Sequence, residues 1–156
     1  MLSQDRIDEL MRTCIAAAHA HEKGIYKPYV GALVLASDGE IIGTGTKRFI
    51  IGTNNLSIHA ERDALTKARR NTFGGTLITT LEPCVALSRK KQILIPCAEL
   101  IREKGIKRVI IGIQDVCEGI DGKGIMYLRD KGIQTMLYTG TYAKEIRNLL
   151  PFRKIY

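Results

Sequence analysis

Arg108-Val109-Ile110-Ile111-Gly112-Ile113 is the stretch on which the fold turns. Four of its six residues are β-branched, so it reads as a strand. Helices flank it on both sides. Pro96 opens one that runs through Lys104 and stops at Gly105, and Gly122 to Lys131 forms another, stopped by Gly132. Ile133 to Tyr138 then returns as a further strand. Strands joined through helices lie parallel, with helices covering both sheet faces.

Working towards the N-terminus, Thr76 to Leu81 is a strand, and Ser57 is the expected N-cap of a helix running to about Arg70, closed by Asn71 and the Gly74-Gly75 pair. Val30 to Ala36 and Ile41 to Gly45 form a hairpin across the turn Ser37-Asp38-Gly39-Glu40. Ile7, Leu10, Met11, Cys14, Ile15 and Ala18 recur at helical spacing, so the first twenty residues form an amphipathic helix with Ser3 as its N-cap. A last helix covers about Tyr142 to Leu150, before Pro151. The expected architecture is a single domain over residues 1–156, an α/β protein of three layers, α/β/α, around a five-stranded mixed sheet whose last strands are parallel.

A chain of 156 residues, 45% hydrophobic and 26% charged, suffices for one buried core. Its apolar runs fall far short of the ~20 residues that a membrane span needs. Met1-Leu2-Ser3-Gln4-Asp5-Arg6 carries no secretory signature, so a cytoplasmic protein is expected. In a reducing compartment, Cys14, Cys84, Cys97 and Cys117 serve as metal ligands or buried small hydrophobes rather than as disulfides. The formal charge of +8 favours anionic partners, either phosphorylated metabolites or nucleic acid, without choosing between them.

The chemistry concentrates at element ends. Ile58-His59-Ala60-Glu61 stands at a helix start, Thr80-Leu81-Glu82-Pro83-Cys84 follows a strand, and Cys97 opens the next helix. In a wound α/β sheet the ligand crevice forms where loops leave the carboxyl ends of the strands. One imidazole and two thiolates, from His59, Cys84 and Cys97, make three strong zinc ligands and leave a fourth tetrahedral position for water. Glu61, two residues past His59, is placed to move protons between that water, a ring nitrogen and a departing amine. A structural zinc site would need a fourth protein ligand, for which Cys117 is the candidate.

These residues resemble the cytidine deaminase superfamily, whose signature is H-x-E followed by P-C-x-x-C. The fullest likeness is to the deaminase domain of the bifunctional riboflavin-biosynthesis deaminase/reductase. It rests on Val30-Gly31-Ala32, Ile58 to Glu61, Thr80 to Cys84, Pro96-Cys97-Ala98-Glu99-Leu100-Ile101, Gly105 to Val109, Asp115 and Gly122-Lys123-Gly124-Ile125. The resemblance implies a cytidine-deaminase-like fold, a zinc cofactor, Glu61 as the catalytic proton carrier, and substrate contacts at Lys27, Lys47, Ala60 and Glu82. It implies a small heterocyclic substrate, phosphorylated or not, most simply a pyrimidine base, nucleoside or nucleotide. It also implies a homo-oligomer, dimer or tetramer.

The chain departs from the pattern in three places. Twelve residues, Val85 to Pro96, separate the two cysteines, where the general signature has two. Lys27 and Lys47 replace polar neutral or histidine positions of relatives. With Arg89, Lys90 and Lys91 they either receive a phosphate or carboxylate or are ordinary solvated charges. The sequence has no room for a reductase, so a deaminase acting alone or beside a separate enzyme is expected. Two other functions stay open: a tRNA adenosine or cytidine deaminase, and a non-catalytic zinc-stabilised binding module. The expectation is a substrate different from the riboflavin intermediate.

Overall fold

Alternation along the strands divides the apolar residues between two faces of one sheet. In the computed structural model, which describes residues 1–50, 52, 57–85, 94–116 and 121–151, Ala32, Val34, Leu77, Val109 and Ile111 face one core, while Leu33, Leu35, Ile78 and Ile110 face the other. Successive side chains on a strand point oppositely, so both faces need cover.

The elements are α1 (Gln4–His19), a short 3-10 turn (Glu22–Gly24), β1 (Gly31–Leu35), β2 (Ile41–Thr46), β3 (Arg48–Phe49), β4 (Ser57–Ile58), α2 (Ala60–Thr66), β5 (Thr76–Leu81), α3 (Cys97–Glu103), β6 (Arg108–Ile113), α4 (Lys123–Asp130), β7 (Gln134–Leu137) and α5 (Ala143–Asn148). The main sheet runs β2-β1-β5-β6-β7. β1 is antiparallel to β2 and β5, whereas β5, β6 and β7 are parallel, in register Ile78 to Ile110 to Met136. This is the three-layer mixed-sheet architecture expected from the sequence.

Ser3 caps α1, its Oγ accepting from the Arg6 N–H at 3.2 Å. α1 lays Leu10, Met11 and Cys14 on Leu33, Leu35 and Ile78, with Ile146 of α5 on the same side. The other face carries Ala60, Ala64 and Leu65 of α2, Ala98 and Ile101 of α3, and Ile125 and Leu128 of α4. α2 lies close on β2 because Gly45 has no side chain: a Cβ there would stand 2.2 Å from the Ala60 carbonyl oxygen.

One boundary is corrected. Ser57 is not the cap of α2, because Ser57 and Ile58 pair with Phe49 and Arg48 in a separate two-stranded ribbon. The ladder keeps the backbone extended through His59 (φ −75°, ψ 149°), and α2 begins at Ala60 and ends at Thr66.

Candidate metal centre

The route out of β4 decides where His59 goes. Its backbone is extended, its carbonyl accepts the Asp63 N–H at 3.0 Å to start α2, and its side chain makes no capping bond. The imidazole meets two sulfurs instead. Nδ1 lies 3.5 Å from Cys84 Sγ and 3.5 Å from Cys97 Sγ. Cys84 follows the end of β5, and Cys97 is the first residue of α3. The Ala98 N–H donates to the Cys84 carbonyl at 3.0 Å and the Cys97 N–H to Cys84 Sγ at 3.4 Å, so α3 holds this ligand loop at two points.

The donor set fits zinc. Metal–sulfur bonds of about 2.3 Å and metal–nitrogen bonds of about 2.0 Å at tetrahedral angles put neighbouring ligand atoms about 3.5–3.8 Å apart. The three ligand atoms, all within 4.8 Å of one another, could therefore hold one ion. Nδ1 would be the donor, which leaves the imidazole proton on Nε2. The hydrogen bond from Cys97, with help from His59, brings the Cys84 thiol down to about 4. Sharing that proton and burial push Cys97 well up, and the Cys84 contact raises His59 against its burial. A cation replaces the shared protons with its own charge.

Glu61 is 3% exposed beside this triangle. Burial raises its carboxyl to about 7, opposed by the charge of His59. Asp63, on the same helix, has a different task. It accepts from the Thr46 N–H at 3.1 Å, Lys67 Nζ at 2.9 Å and Arg48 at 3.3 Å, which ties α2 to β2.

A cavity of about 120 Å³ opens here, lined by Pro28, Val30, Lys47, His59, Ala60, Glu61, Leu81, Glu82, Cys84 and Asp115. It is well below the ~300 Å³ of a drug-sized pocket, so it suits one ring, with anything attached to the ring at the mouth. Among the expected contacts, Lys47, Ala60 and Glu82 come together on this wall. Half-buried Lys47 donates to the Pro28 carbonyl at 3.0 Å and the Tyr26 carbonyl at 3.3 Å, and burial lowers its pKa. Two of its three N–H donors are thereby engaged.

The structure does not bring Lys27 to this wall. Its Nζ donates to the Asn148 carbonyl at 2.7 Å, at the end of α5, and lies 5.8 Å from the Tyr29 ring centroid. Arg89, Lys90, Lys91 and Cys117 lie outside the described residues. Asp115 is a lining residue to which the sequence reading gave no role. The sequence named it only among the residues that carry the resemblance; its position just past the carboxyl end of β6 is the signal for a place in the crevice.

The sequence profile described as the cytidine and deoxycytidylate deaminase zinc-binding region matches residues 4–113. The riboflavin biosynthesis protein RibD of Haemophilus influenzae is 41% identical over 108 residues, 69% of this chain and 26% of that protein, so the match spans about a quarter of that relative's length. The diaminohydroxyphosphoribosylamino-pyrimidine deaminase of Buchnera aphidicola (Schizaphis graminum) is 37% identical over 118 residues, 76% of this chain and 72% of that protein. Among solved structures, a diaminohydroxyphosphoribosylaminopyrimidine deaminase/5-amino-6-(5-phosphoribosylamino)uracil reductase from Thermotoga maritima superposes with a TM-score of 0.75. It is 34% identical, over 94% of this chain and 40% of that one.

Proposed function

The chain belongs to the zinc-binding cytidine and deoxycytidylate deaminase family, and from that premise we propose that it hydrolytically deaminates an amino-substituted pyrimidine nucleotide. The observation that carries this reading is the 3.5 Å spacing of His59 Nδ1 from both Cys84 and Cys97, beside buried Glu61 in a one-ring cavity. His59, Cys84 and Cys97 would hold the zinc. Bound there, zinc supplies Lewis acidity that makes water a usable nucleophile near neutral pH.

Glu61 does the proton work. A carboxyl near 7 gives up and takes back a proton with little cost in either direction at neutral pH. It accepts the proton lost by the attacking water and passes it to the ring nitrogen beside the reacting carbon, then takes the remaining proton of the added hydroxyl and delivers it to the amine. The C–N bond then breaks, and the balance is amine plus water to carbonyl plus ammonia. Leu81 and Val30 give the ring apolar walls, and Ala60 lies at its edge.

Lys47 supports a phosphorylated substrate. It lines the cavity with two donors engaged by carbonyls, which leaves a third donor and a positive charge to meet a phosphate on the ring substituent. The Haemophilus and Buchnera relatives are named for riboflavin biosynthesis and for a diaminopyrimidine deaminase. The twelve residues between the cysteines, in place of the two of the general signature, support a substrate differing from theirs in its substituents and not in the reaction. The test is ammonia release from purified zinc-loaded protein given pyrimidine bases, nucleosides, nucleotides and tRNA. Phosphorylated aminopyrimidines should react at least about tenfold better in kcat/KM than their dephosphorylated forms, one good charge-assisted contact being worth about 1.5–3 kcal/mol. Activity confined to tRNA, or absent throughout, would overturn the reading.

A further inference from the structure

Glu82 lies two residues before Cys84, and its carboxylate is held by backbone N–H groups. Oε2 accepts from the Asp115 N–H at 2.9 Å and the Gly122 N–H at 3.1 Å, and Oε1 accepts from the Ile125 N–H at 3.0 Å. The carboxylate is 2% exposed, and three backbone donors fill most of its acceptor capacity. We propose that Glu82 is a positioning residue. It pins Asp115 and the start of α4 to the ligand loop, and so sets the part of the cavity wall that Asp115 forms.

Three independent features converge on this. First, α4 needs a cap from elsewhere: its N-cap, Gly122, has no side chain to offer, and helix starts leave N–H groups without intrahelical partners. Glu82, just past the end of β5, supplies the acceptor, with its negative charge at the helix N-terminus. Secondly, Oε2 holds both Asp115 and Gly122, the two ends of the segment that joins β6 to α4. Asp115 also lines the cavity. Thirdly, α4 is seated directly on the ligand loop. A Cβ on Gly124 would stand 2.0 Å from the Pro83 carbonyl oxygen and 3.1 Å from Glu82 Cγ, so only glycine permits this approach.

The ligand loop is therefore held from two sides. α3 bonds the Cys84 carbonyl and sulfur, and α4 bears on Glu82 and Pro83. Because this hold acts on the cavity wall and leaves His59, Cys84, Cys97 and Glu61 in place, its loss falls on substrate binding more than on the chemical step. Glu82→Gln keeps the shape but turns an amide N–H₂ towards at least one backbone donor, which loosens the wall without removing a ligand.

This inference rests on the deaminase reading for its kinetic arm only. In Glu82→Gln we expect unchanged zinc per chain, a KM at least tenfold higher, and a kcat per zinc-loaded site within about threefold of the parent. An unchanged KM with only a smaller active fraction would mean a purely structural role and would overturn the proposal. If the parent releases ammonia from nothing, the function reading fails, and amide hydrogen exchange decides the positioning role by itself. Asp115, Gly122 and Ile125 should lose protection in the variant while Val109 and Ile111 of β6 keep theirs. Retained protection at the three amides would contradict it. If the variant does not fold, exchange in the parent still tests the carboxylate: Gly122 and Ile125 should be protected well beyond the Lys123 amide between them, and equal rates would overturn the proposal.

Discussion

Two buried cysteines on opposite faces of the sheet have opposite chemistry. Cys14, under α1, sits fully buried among Leu10, Met11, Leu33 and Ile78, and burial pushes its thiol far above the usual range. Cys84, on the other face, is nearly as buried but receives hydrogen bonds from Cys97 and contacts His59, which bring it down to about 4. Burial alone makes a thiol inert. Burial with donors makes it a ligand. The difference extends to the whole faces: the α1/α5 side is dominated by apolar packing, whereas the α2/α3/α4 side buries Glu61, Asp63 and Glu82 with partners.

Substitutions on the two faces should separate along that line. Cys84→Ala should show the largest effect: more than about 100-fold weaker zinc binding, since even residues that merely support a ligand cost 10–100-fold, with ammonia release lost alongside. Metal analysis and a chelator competition check it. Leu10→Ala, on the apolar face, should cost about 2–5 kcal/mol in denaturant unfolding and leave zinc stoichiometry unchanged.

Asp63→Asn comes next, at about 1–2 kcal/mol, because the amide keeps only part of the bonding to Thr46, Lys67 and Arg48. Its pH dependence has a definite sign. Burial raises the Asp63 carboxyl, but the Lys67, Thr46 and Arg48 bonds outweigh it and leave the folded value below the ordinary 3.8. The stabilisation is present above that ordinary value and is lost as pH falls through the lower folded one, so the variant and parent should converge in acid unfolding as pH drops below the ordinary carboxylate range. The smallest effect is expected for Cys14→Ala, about 1 kcal/mol with zinc and activity retained. Loss of zinc on that substitution would break the distinction between the two faces.

Much of this was legible in the sequence, for identifiable reasons. β5 and β6 read correctly to the residue because their apolar runs end at polar or glycine boundaries. The Ser3 cap was legible because a cap and its helix are local. His59, Cys84 and Cys97 stood out because each lies at an element end, where the fold gathers its ligands. What was missed depends on distant contacts. Ser57 looks like a cap until Phe49 is known to pair with it. Lys27 and Lys47 look equivalent, yet one turns to Asn148 and the other to the cavity wall. Glu82 lines the cavity with the other expected contacts, but that its oxygens also accept from donors 33 to 43 residues downstream is not legible locally.

The most direct test of the account is Glu61→Gln, assayed for zinc content and ammonia release on the best substrate of the parent enzyme. The account predicts about one zinc per chain, as in the parent, and a kcat lower by about 10²–10⁴-fold. Loss of the metal, or a kcat close to that of the parent, would contradict it.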